Sequence, residues 1–274
     1  MKRVILTKAR DADASEGDGA SASPDSVAIG LSALGLAWTP VHWPLIEISP
    51  VTDEPTVARL QVAWQDWSRW QAAIWVSAAA ARHFFNHRPP GHEWGEVKAW
   101  CTGPGTAKAL LSLGVPAHDL IHPDERSLQW DSEALWELVK NNLRVNAPVL
   151  RVRGRDHQHG EVEGQGRDWL ADRLQERGIN FHSVAAYERG MPNWTPSQRH
   201  EALQALCDGS VWWFTSSQAV EHLAQLLPGA SFSSARAVVT HPRIAKACEA
   251  QAWGQVLLSS PDAASVLKSI KSSE

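Results

Sequence analysis

The segment 153–167 carries the residue types best suited to hold an anion. It contains three arginines and four glycines, follows a short apolar run and precedes the amphipathic stretch 168–177. Its glycines and arginines therefore gather at a predicted helix N-terminus, where backbone N–H groups and the helix dipole favour negative charge. The pattern predicts anion binding by part of this loop, and the alternative is a flexible turn whose arginines are solvated.

Tyr187 is the single tyrosine in a chain with 15 tryptophans, and it follows the apolar run 179–184. A phenol can donate a proton to a leaving group, although a pKa of about 10 makes it a weak acid that needs a well-placed substrate. By its position alone, Tyr187 fits a packing role better than a catalytic one.

Internal repeats indicate the elements that must position these residues. The stretch 102–109 returns as 240–247 with five identities in eight positions, at an offset of 138 residues. The runs 74–77 and 212–215 are both apolar, both end in a hydroxyl residue, and are displaced by the same 138 residues. The same pair of elements therefore occurs twice.

A third similarity links 4–7 with 149–152, since each leads through a helix-like stretch to a glycine and a second apolar run. A repeat near half the chain length indicates two similar domains rather than a solenoid. Short apolar runs that alternate with helical patterns are typical of β-α units on a parallel sheet. The predicted fold class is α/β, with two parallel-sheet domains.

The composition argues against several classes of protein. With 274 residues, 43% hydrophobic and 20% charged, the chain can bury two cores of moderate size. No apolar stretch is long enough for a membrane span or a signal peptide, so we expect a cytoplasmic protein that binds no membrane. A net charge of −4 without a basic patch argues against nucleic-acid binding. Cys101, Cys207 and Cys248 are too widely spaced for a zinc site and are expected to be reduced.

Several other patterns are interpreted structurally. His83 and His87 have the spacing of metal ligands on a helix, but no third ligand accompanies them, so we interpret them as a surface pair. No phosphate-binding glycine loop occurs. Tryptophans at helical spacing, such as Trp64 and Trp67, are predicted to fill the core and a domain interface. The segment 11–25 is predicted to be a mobile insertion.

Seven short motifs follow one another along nearly the whole chain. They are Ile5-Leu-Thr-Lys8, Pro44-Leu-Ile-Glu-Ile48, Gly103-Pro-Gly-Thr-Ala107, the set Leu150, Arg153, Gly154, Gly166, Arg167 and Leu170, then Tyr187-Glu-Arg189, Thr215-Ser216 and Arg243-Ile-Ala245. In this order and spacing they resemble the uroporphyrinogen-III synthase family of the bacterial type. Two departures are Lys8, where the family usually has arginine, and a longer loop between Arg153 and Arg167.

The resemblance implies two flavodoxin-like α/β domains with parallel sheets, joined by a two-stranded β crossover. The first domain would hold residues 1–44 and 190–274, and the second 48–182, with 44–49 and 183–189 as paired linkers. Two linkers and a small interface would let the domains open and close around a cleft.

For this family the substrate is hydroxymethylbilane, a linear tetrapyrrole with eight carboxylates, which is closed to uroporphyrinogen III with inversion of ring D. Loss of the hydroxyl gives an electrophilic azafulvene, and attack by the substituted carbon of ring D gives a spiro intermediate that fragments and recloses. The resemblance implies no cofactor. It implies a monomer in haem biosynthesis, with transient contact to hydroxymethylbilane synthase as a further partner.

The resemblance also assigns roles to single residues. Tyr187 becomes the expected catalytic group, which assists departure of the hydroxyl. The substrate carboxylates are expected to meet hydroxyls, basic side chains and backbone N–H groups of nine residues, namely Lys8, Ser77, Thr106, Arg153, Gly154, Arg167, Thr215, Ser216 and Arg243. The alternative for each hydroxyl is a helix N-cap, and for each arginine a solvated surface charge.

A second hypothesis comes from another class of protein, a non-enzymatic two-domain binding or sensor protein that closes on a small anion. It rests on the fold alone, which does not determine function. Such sensors usually carry a DNA-binding segment, a membrane segment or a secretion signal, and the sequence shows no pattern of these kinds. Ligand closure without product formation would favour it.

Overall fold

A computed structural model of the chain describes residues 2–11, 24–123, 131–156, 169–260 and 262–272. Within these residues the strands are β1 (Arg3–Leu6), β2 (Arg10–Asp11), β3 (Thr39–His42), β4 (Glu47–Pro50), β5 (Ala72–Trp75), β6 (Lys98–Cys101), β7 (Leu120–Ile121), β8 (Val149–Asp156), β9 (Phe181–Gly190), β10 (Val211–Phe214), β11 (Arg236–Val239) and β12 (Gln255–Leu258). The α-helices are α1 (Pro24–Ala33), α2 (Glu54–Gln65), α3 (Ala78–Phe85), α4 (Pro104–Ser112), α5 (Ser132–Val139), α6 (Trp169–Glu176), α7 (Pro196–Ala205), α8 (Ser217–Leu226), α9 (Pro242–Ala250) and α10 (Ala263–Ser272).

The described residues form two compact units. The first unit takes those within Met1–Arg10, Gly19–Glu47 and Met191–Glu274, and the second takes those within Asp11–Asp18 and Ile48–Gly190. Among the described residues, the chain passes between the units within β2, within β4 and at the end of β9, and these three strands are consecutive neighbours in one sheet. The predicted α/β fold class with two parallel sheets is confirmed.

The first unit is built on a five-stranded sheet with the order β12-β11-β10-β1-β3, in which every pair is parallel. Numbered along the unit, this order is 2-1-3-4-5, which is the flavodoxin-like order. Alternate side chains of β1 point to opposite faces, so Val4 and Leu6 pack with α1 and α10 while Ile5 packs with α7, α8 and α9. Because both faces are covered, the strands are continuously apolar in sequence.

The second unit is built on a seven-stranded sheet with the order β2-β4-β9-β8-β5-β6-β7, and the strands from β9 to β7 pair in parallel. If β5, β6 and β7 are matched to β10, β11 and β12 by the sequence repeat, then β8 and β9 take the places of β1 and β3. The two units thus share one strand order, but the strands of the second unit come in a permuted sequence. This permutation explains why 149–152 resembles 4–7.

In the second unit, a cluster of aromatic residues packs between the sheet and the helices α2 and α3. Trp64 stacks on Trp67 and on Phe84, with ring centroids 4.7 Å apart in each pair. The buried indole N–H groups of Trp64 and Trp67 donate to the carbonyls of Phe84 and Trp94. The predicted core role of these tryptophans is confirmed.

Among the described helices, none combines the length and the apolarity needed to cross a bilayer.

Candidate functional site

In each unit the strand order reverses between two neighbouring strands, and the carboxyl ends of such strands form the usual ligand crevice of an open α/β sheet. The reversal lies between β1 and β10 in the first unit and between β8 and β5 in the second. Six of the predicted site residues occupy these positions, among them Arg153 on β8. Lys8 follows β1, Thr215 and Ser216 follow β10, Ser77 follows β5, and Gly154 lies on β8.

Ser77 ends the loop after β5 and begins α3. Its backbone is extended, and its Oγ accepts a hydrogen bond of 3.1 Å from the N–H of Ala80, so it is the N-cap of the helix. The same Oγ lies 3.2 Å from the phenol oxygen of Tyr187. Ser77 therefore caps the helix and also contacts the one tyrosine of the chain.

Tyr187 lies on β9 with 5% of its surface exposed. The pairing of β8 with β9 shifts register between Arg153, which lies opposite Ala185, and Gly154, which lies opposite Tyr187. A Cβ added at Gly154 would lie 2.4 Å from Cζ and 2.9 Å from the phenol oxygen of Tyr187. The ring of Tyr187 thus lies directly on the backbone of Gly154, which only a glycine permits.

A buried group of charged and polar side chains lies beside this ring. The imidazole of His83, which is 2% exposed, has its centroid 5.7 Å from that of the Tyr187 ring, with 30° between the planes. Its Nε2 lies 3.1 Å from Oδ1 of Asp11, and Nη2 of Arg82 donates to Oδ2 of Asp11 at 2.7 Å. The Asp11 side chain is 6% exposed. One carboxylate therefore joins the guanidinium and the imidazole that α3 carries.

The interpretation of His83 and His87 as a surface pair was wrong for His83, which is buried against Tyr187. His87 is partly buried, and burial, together with the nearby His83, lowers its pKa. Asp11 was placed in a mobile insertion, but it belongs to β2 and its side chain is buried; residues 12–23 lie outside the described residues. Among the residues that are described, no cluster of side chains could hold a metal ion.

The strand β8 continues to Asp156, so the segment predicted as a loop from residue 153 begins as a strand. Arg155 on this strand forms ion pairs with Asp53 and Glu188, and its Nη1 donates to Thr56 Oγ1 at 2.8 Å. Thr56 and Arg155 hold the pKa of Asp53 down, at about 2. Arg155 thus ties the start of α2 to β8 and β9.

The other basic residues of the segment 153–167 differ from Arg155. Arg153 is partly buried on β8, and within the described residues its guanidinium forms no hydrogen bond or ion pair. Gly166 and Arg167 lie outside the described residues. Of the arginines predicted to bind an anion here, Arg153 is the one whose guanidinium has no protein partner among the residues that the structure describes.

Thr106 lies in the first turn of α4, after the N-cap Gly103, and is buried. Gly103 makes no side-chain cap, and a Cβ added at Gly103 or at Gly105 would meet no described atom within 4 Å. The start of α4 is therefore open on the side of these glycines. It lies after β6, next to the strand that leads to Ser77.

In the first unit the predicted residues follow three adjacent strands. Ser216 is the N-cap residue of α8, but its side chain makes no capping hydrogen bond, unlike that of Ser77. Thr215 and Lys8 are exposed, and Arg243 is exposed in the first turn of α9. The N-cap of α9 is His241, whose Nδ1 accepts from the N–H of Arg243. Hydroxyl and basic groups therefore lie at the carboxyl edge of this sheet.

One cavity of the second unit, of about 500 Å³, lies at the amino edge of its sheet, where Gln71 and Lys98 mark the amino ends of β5 and β6. It is also lined by Asp119, whose carboxylate is paired with Lys98 Nζ at 2.6 Å. A smaller cavity of about 160 Å³ extends along the sheet from Val76 and Thr102, after the carboxyl ends of β5 and β6, to Phe181 at the amino end of β9. We place the site at the carboxyl edge because the strand reversal and the Tyr187 cluster are both found there.

Comparisons with known proteins agree with the motifs. A family model described as "Uroporphyrinogen-III synthase HemD" matches residues 26–268. The structure of uroporphyrinogen-III synthetase from Helicobacter pylori is similar in fold, with a TM-score of 0.59, 15% identity and coverage of 100% of both chains. A mutant uroporphyrinogen III synthase from Thermus thermophilus has a TM-score of 0.53 at 15% identity, and the match covers 99% of this chain and 98% of that one. The family model spans most of the sequence, and the chain therefore belongs to the uroporphyrinogen-III synthase family.

Proposed function

We propose that Tyr187 protonates the departing hydroxyl of hydroxymethylbilane when this protein closes that substrate to uroporphyrinogen III. Membership of the family supports the reaction. The observation that carries the role of Tyr187 is its phenol oxygen, 3.2 Å from Ser77 Oγ at the N-terminus of α3. No other tyrosine is available for this role in the chain.

The first chemical step needs an acid because hydroxide is a poor leaving group. A proton from the phenol of Tyr187 lets the hydroxyl leave as water and leaves the azafulvene in its N-protonated, cationic form as the electrophile. The substituted carbon of ring D attacks it, and the spiro intermediate then fragments and recloses with ring D inverted. The proton lost from the pyrrole carbon at closure returns to the phenolate, so that the overall change is the loss of one water.

The surroundings of Tyr187 favour the charge that develops during proton transfer. A phenolate would lie at the positive end of the α3 dipole, where negative charge is stabilised. The Ser77 hydroxyl accepts from Ala80 through its oxygen and keeps its own proton to donate to the phenolate. Both groups lower the cost of proton transfer without a second acid. General acid catalysis of this kind typically contributes about 10²- to 10⁴-fold in rate.

Selection of isomer III depends on the conformation in which the substrate is held. The family resemblance indicates that the unaided chain closes without inversion, so the protein must bring the substituted carbon of ring D, rather than the unsubstituted one, into reach of the azafulvene. Holding two reacting atoms in a productive geometry can lower a barrier by several kcal/mol. The main task we propose for the rest of the site is therefore to fix a curled substrate.

The protein can hold the substrate in this curled conformation by binding its carboxylates. We propose that Lys8, Arg153 and Arg243 pair with them, since all three extend from the carboxyl ends of sheet strands or the first turn of a helix. Ser216 is proposed as a further donor because it makes no capping bond. Thr106, Thr215 and the backbone at Gly154 complete the proposed set, together with Arg167 from outside the described residues. Ser77, which the family resemblance also assigns to a carboxylate, is proposed instead as the donor to Tyr187, because its hydroxyl has only one proton to give.

The reaction is tested by product analysis. The purified protein is incubated with freshly generated hydroxymethylbilane, the products are oxidised, and the two uroporphyrin isomers are separated by chromatography. We expect isomer III to predominate, against isomer I in the control without protein. If only isomer I forms while the protein binds the substrate, the synthase activity is refuted and the protein acts as a binder of small anions.

The role of Tyr187 is tested by Tyr187→Phe. Because the ring is kept and only a hydrogen bond of about 1 kcal/mol is lost, the variant should stay folded. We expect kcat for isomer III to fall about 10²-fold, at the lower end for a general acid, because the azafulvene also forms unaided. Ser112→Ala is the control, since within the described part of the chain it removes a hydroxyl that bonds to Ala109 O in α4 alone. A Tyr187→Phe variant with wild-type kcat would exclude the proton-donor role.

The finer expectations from the family are also proposals. They are a monomeric state, a location in the cytoplasm, and a transient contact with hydroxymethylbilane synthase. Sedimentation equilibrium tests the first and would contradict it by a mass above 30.1 kDa. Transfer of substrate in mixtures of the two enzymes, with an added trap for free hydroxymethylbilane, tests the last.

A further inference from the structure

Tyr187 is held by side chains that have no place in the reaction as described above. Its ring lies on the backbone of Gly154, and the imidazole of His83 lies beside it, 5.7 Å between centroids. The imidazole is in turn held by Asp11, which Nε2 of His83 approaches to 3.1 Å. A chain of contacts therefore runs from the carboxylate of Asp11 through His83 to the phenol ring.

This chain of contacts is costly to bury. Taking a carboxylate and a guanidinium out of water is offset only when the pair has good geometry and further hydrogen bonds. Here Asp11 contacts both Arg82 and His83 through its two oxygens while only 6% of its side chain is exposed. An apolar side chain of similar volume could fill the same space, so packing alone does not explain why the carboxylate of Asp11 lies here.

The contacts of Asp11 instead provide orientation. A buried imidazole can rotate about its χ2 angle unless one of its nitrogens is held, and Asp11 holds Nε2. The ring of Tyr187 has the imidazole of His83 beside it and the backbone of Gly154 against it, so the orientation of His83 limits where the ring can lie. The position of that ring then decides whether the phenol reaches Ser77 and the departing hydroxyl.

We propose that Asp11, acting through His83, is a positioning residue that holds the Tyr187 ring for proton transfer. The role rests on the proposed function of Tyr187. Asp11 comes from β2, which pairs with β4 at the edge of the sheet, whereas His83 comes from α3. A residue from the N-terminal part of the chain would thus help to position Tyr187, the proposed proton donor of the second unit.

The test uses the conservative variant Asp11→Asn in a double-mutant cycle with Tyr187→Phe. Because a displaced ring affects the chemical step rather than binding, we expect Asp11→Asn to lower kcat about three- to tenfold and to leave KM within about twofold. In the Tyr187→Phe background the same substitution should change kcat by less than about twofold, since the group it positions no longer donates. His83→Phe, which keeps a ring but loses the bond to Asp11, should behave like Asp11→Asn.

A second measurement does not depend on activity. The chain has one tyrosine, so labelling with ¹³C-tyrosine gives the ring signals of Tyr187 alone. We expect these signals to shift and the ring to flip faster in Asp11→Asn and in His83→Phe than in the wild type. Asp119→Asn is the matched control, because Asp119 is as buried and is paired with Lys98, but lies at the opposite edge of the same sheet.

Each outcome decides the proposal. Unchanged Tyr187 signals in both Asp11→Asn and His83→Phe would overturn it, as would a loss of kcat that persists in the Tyr187→Phe background. If Asp119→Asn and Asp11→Asn change the Tyr187 ring signals equally, both act by destabilising the second unit as a whole, and the proposal is overturned. If Tyr187→Phe keeps wild-type kcat, the proton-donor role fails, while the ring signals still show whether Asp11 positions Tyr187.

Discussion

Replacement of Gly154 by alanine tests whether the position of Tyr187 matters for the reaction. The added Cβ would lie 2.4 Å from Cζ of Tyr187, whereas ordinary contacts begin at 3.4 Å, so the two must separate by 3.4 − 2.4 = 1.0 Å. The clash is with a rigid ring rather than with the end of a flexible side chain. His83 lies beside this ring, so a shift of the phenol relative to Ser77 is the outcome we expect.

The expected size follows from this displacement. Inserting one methyl group into a packed site typically costs about 1–3 kcal/mol of folding free energy. A misplacement of about 1 Å at a reacting group can reduce the rate by about 10²-fold. We therefore expect Gly154→Ala to remain folded with a lowered Tm, and its kcat for isomer III to approach that of Tyr187→Phe.

The matched control is Gly30→Ala in α1. Its Cβ would also meet an atom at 2.4 Å, but that atom is Cδ1 of Leu267, the far end of a flexible side chain. The side chain can rotate away, and alanine gains up to about 1 kcal/mol of helix propensity over glycine. We expect Gly30→Ala to keep wild-type kcat and to change Tm little.

The assay measures initial rates of isomer III formation and thermal unfolding on the same samples. Wild-type kcat together with wild-type Tm in Gly154→Ala would refute the close packing of Tyr187 on Gly154. A lowered Tm with unchanged kcat would instead refute the idea that catalysis depends on where this phenol lies.

Two further predictions concern titration and reactivity. The pKa of Asp53 is about 2 in the folded chain, lowered mainly by Thr56 from its ordinary 3.8, so this carboxylate stabilises the fold above pH 4 and the contribution is lost as pH falls from about 4 to 2. The Tm difference between Asp53→Asn and the wild type should therefore be present at pH 7, shrink as pH falls below about 4 and disappear only below about pH 2, and a difference independent of pH would contradict this. Burial raises the thiol pKa of Cys101 and Cys248 to about 12, while Cys207 is exposed. Iodoacetamide should label Cys207 alone in the native protein, as mass spectrometry of tryptic peptides would show, and modification of either buried thiol before unfolding would be the contrary result.

Much of the fold could be predicted because the repeats report buried strands directly. The runs 74–77 and 212–215 became β5 and β10 with their following hydroxyls, since a strand covered on both faces must be apolar throughout. The resemblance to the synthase family assigned residues far apart in sequence, such as Ser77 and Gly154, to one site. Both lie near the carboxyl ends of parallel strands, which are at one edge of the sheet. Their individual roles remain predictions.

Other features depended on partners that no local pattern reveals. Residues 153–156 are polar or glycine and look like a loop, yet β8 includes them because Arg155 is neutralised by Glu188 and Asp53 across the sheet. Asp11 opens a polar stretch and looks solvated. Its carboxylate can be buried because α3 places a guanidinium nitrogen of Arg82 and an imidazole nitrogen of His83 against it. These residues lie 71 and 72 positions further along the chain.

The permuted strand order has a consequence for the order in which the chain can fold as it is synthesised. From β5 to β9 the second unit draws its parallel strands from one continuous stretch, whereas β1 pairs with β10, and Val4 must wait for Val211, 207 positions later. At translation rates of about 5–20 residues per second this wait is on the order of 10 to 40 s. During it the β1–β3 pair has an open edge that can add a strand from another chain. Ribosome-bound intermediates of this protein should therefore be protected from protease first in the second unit.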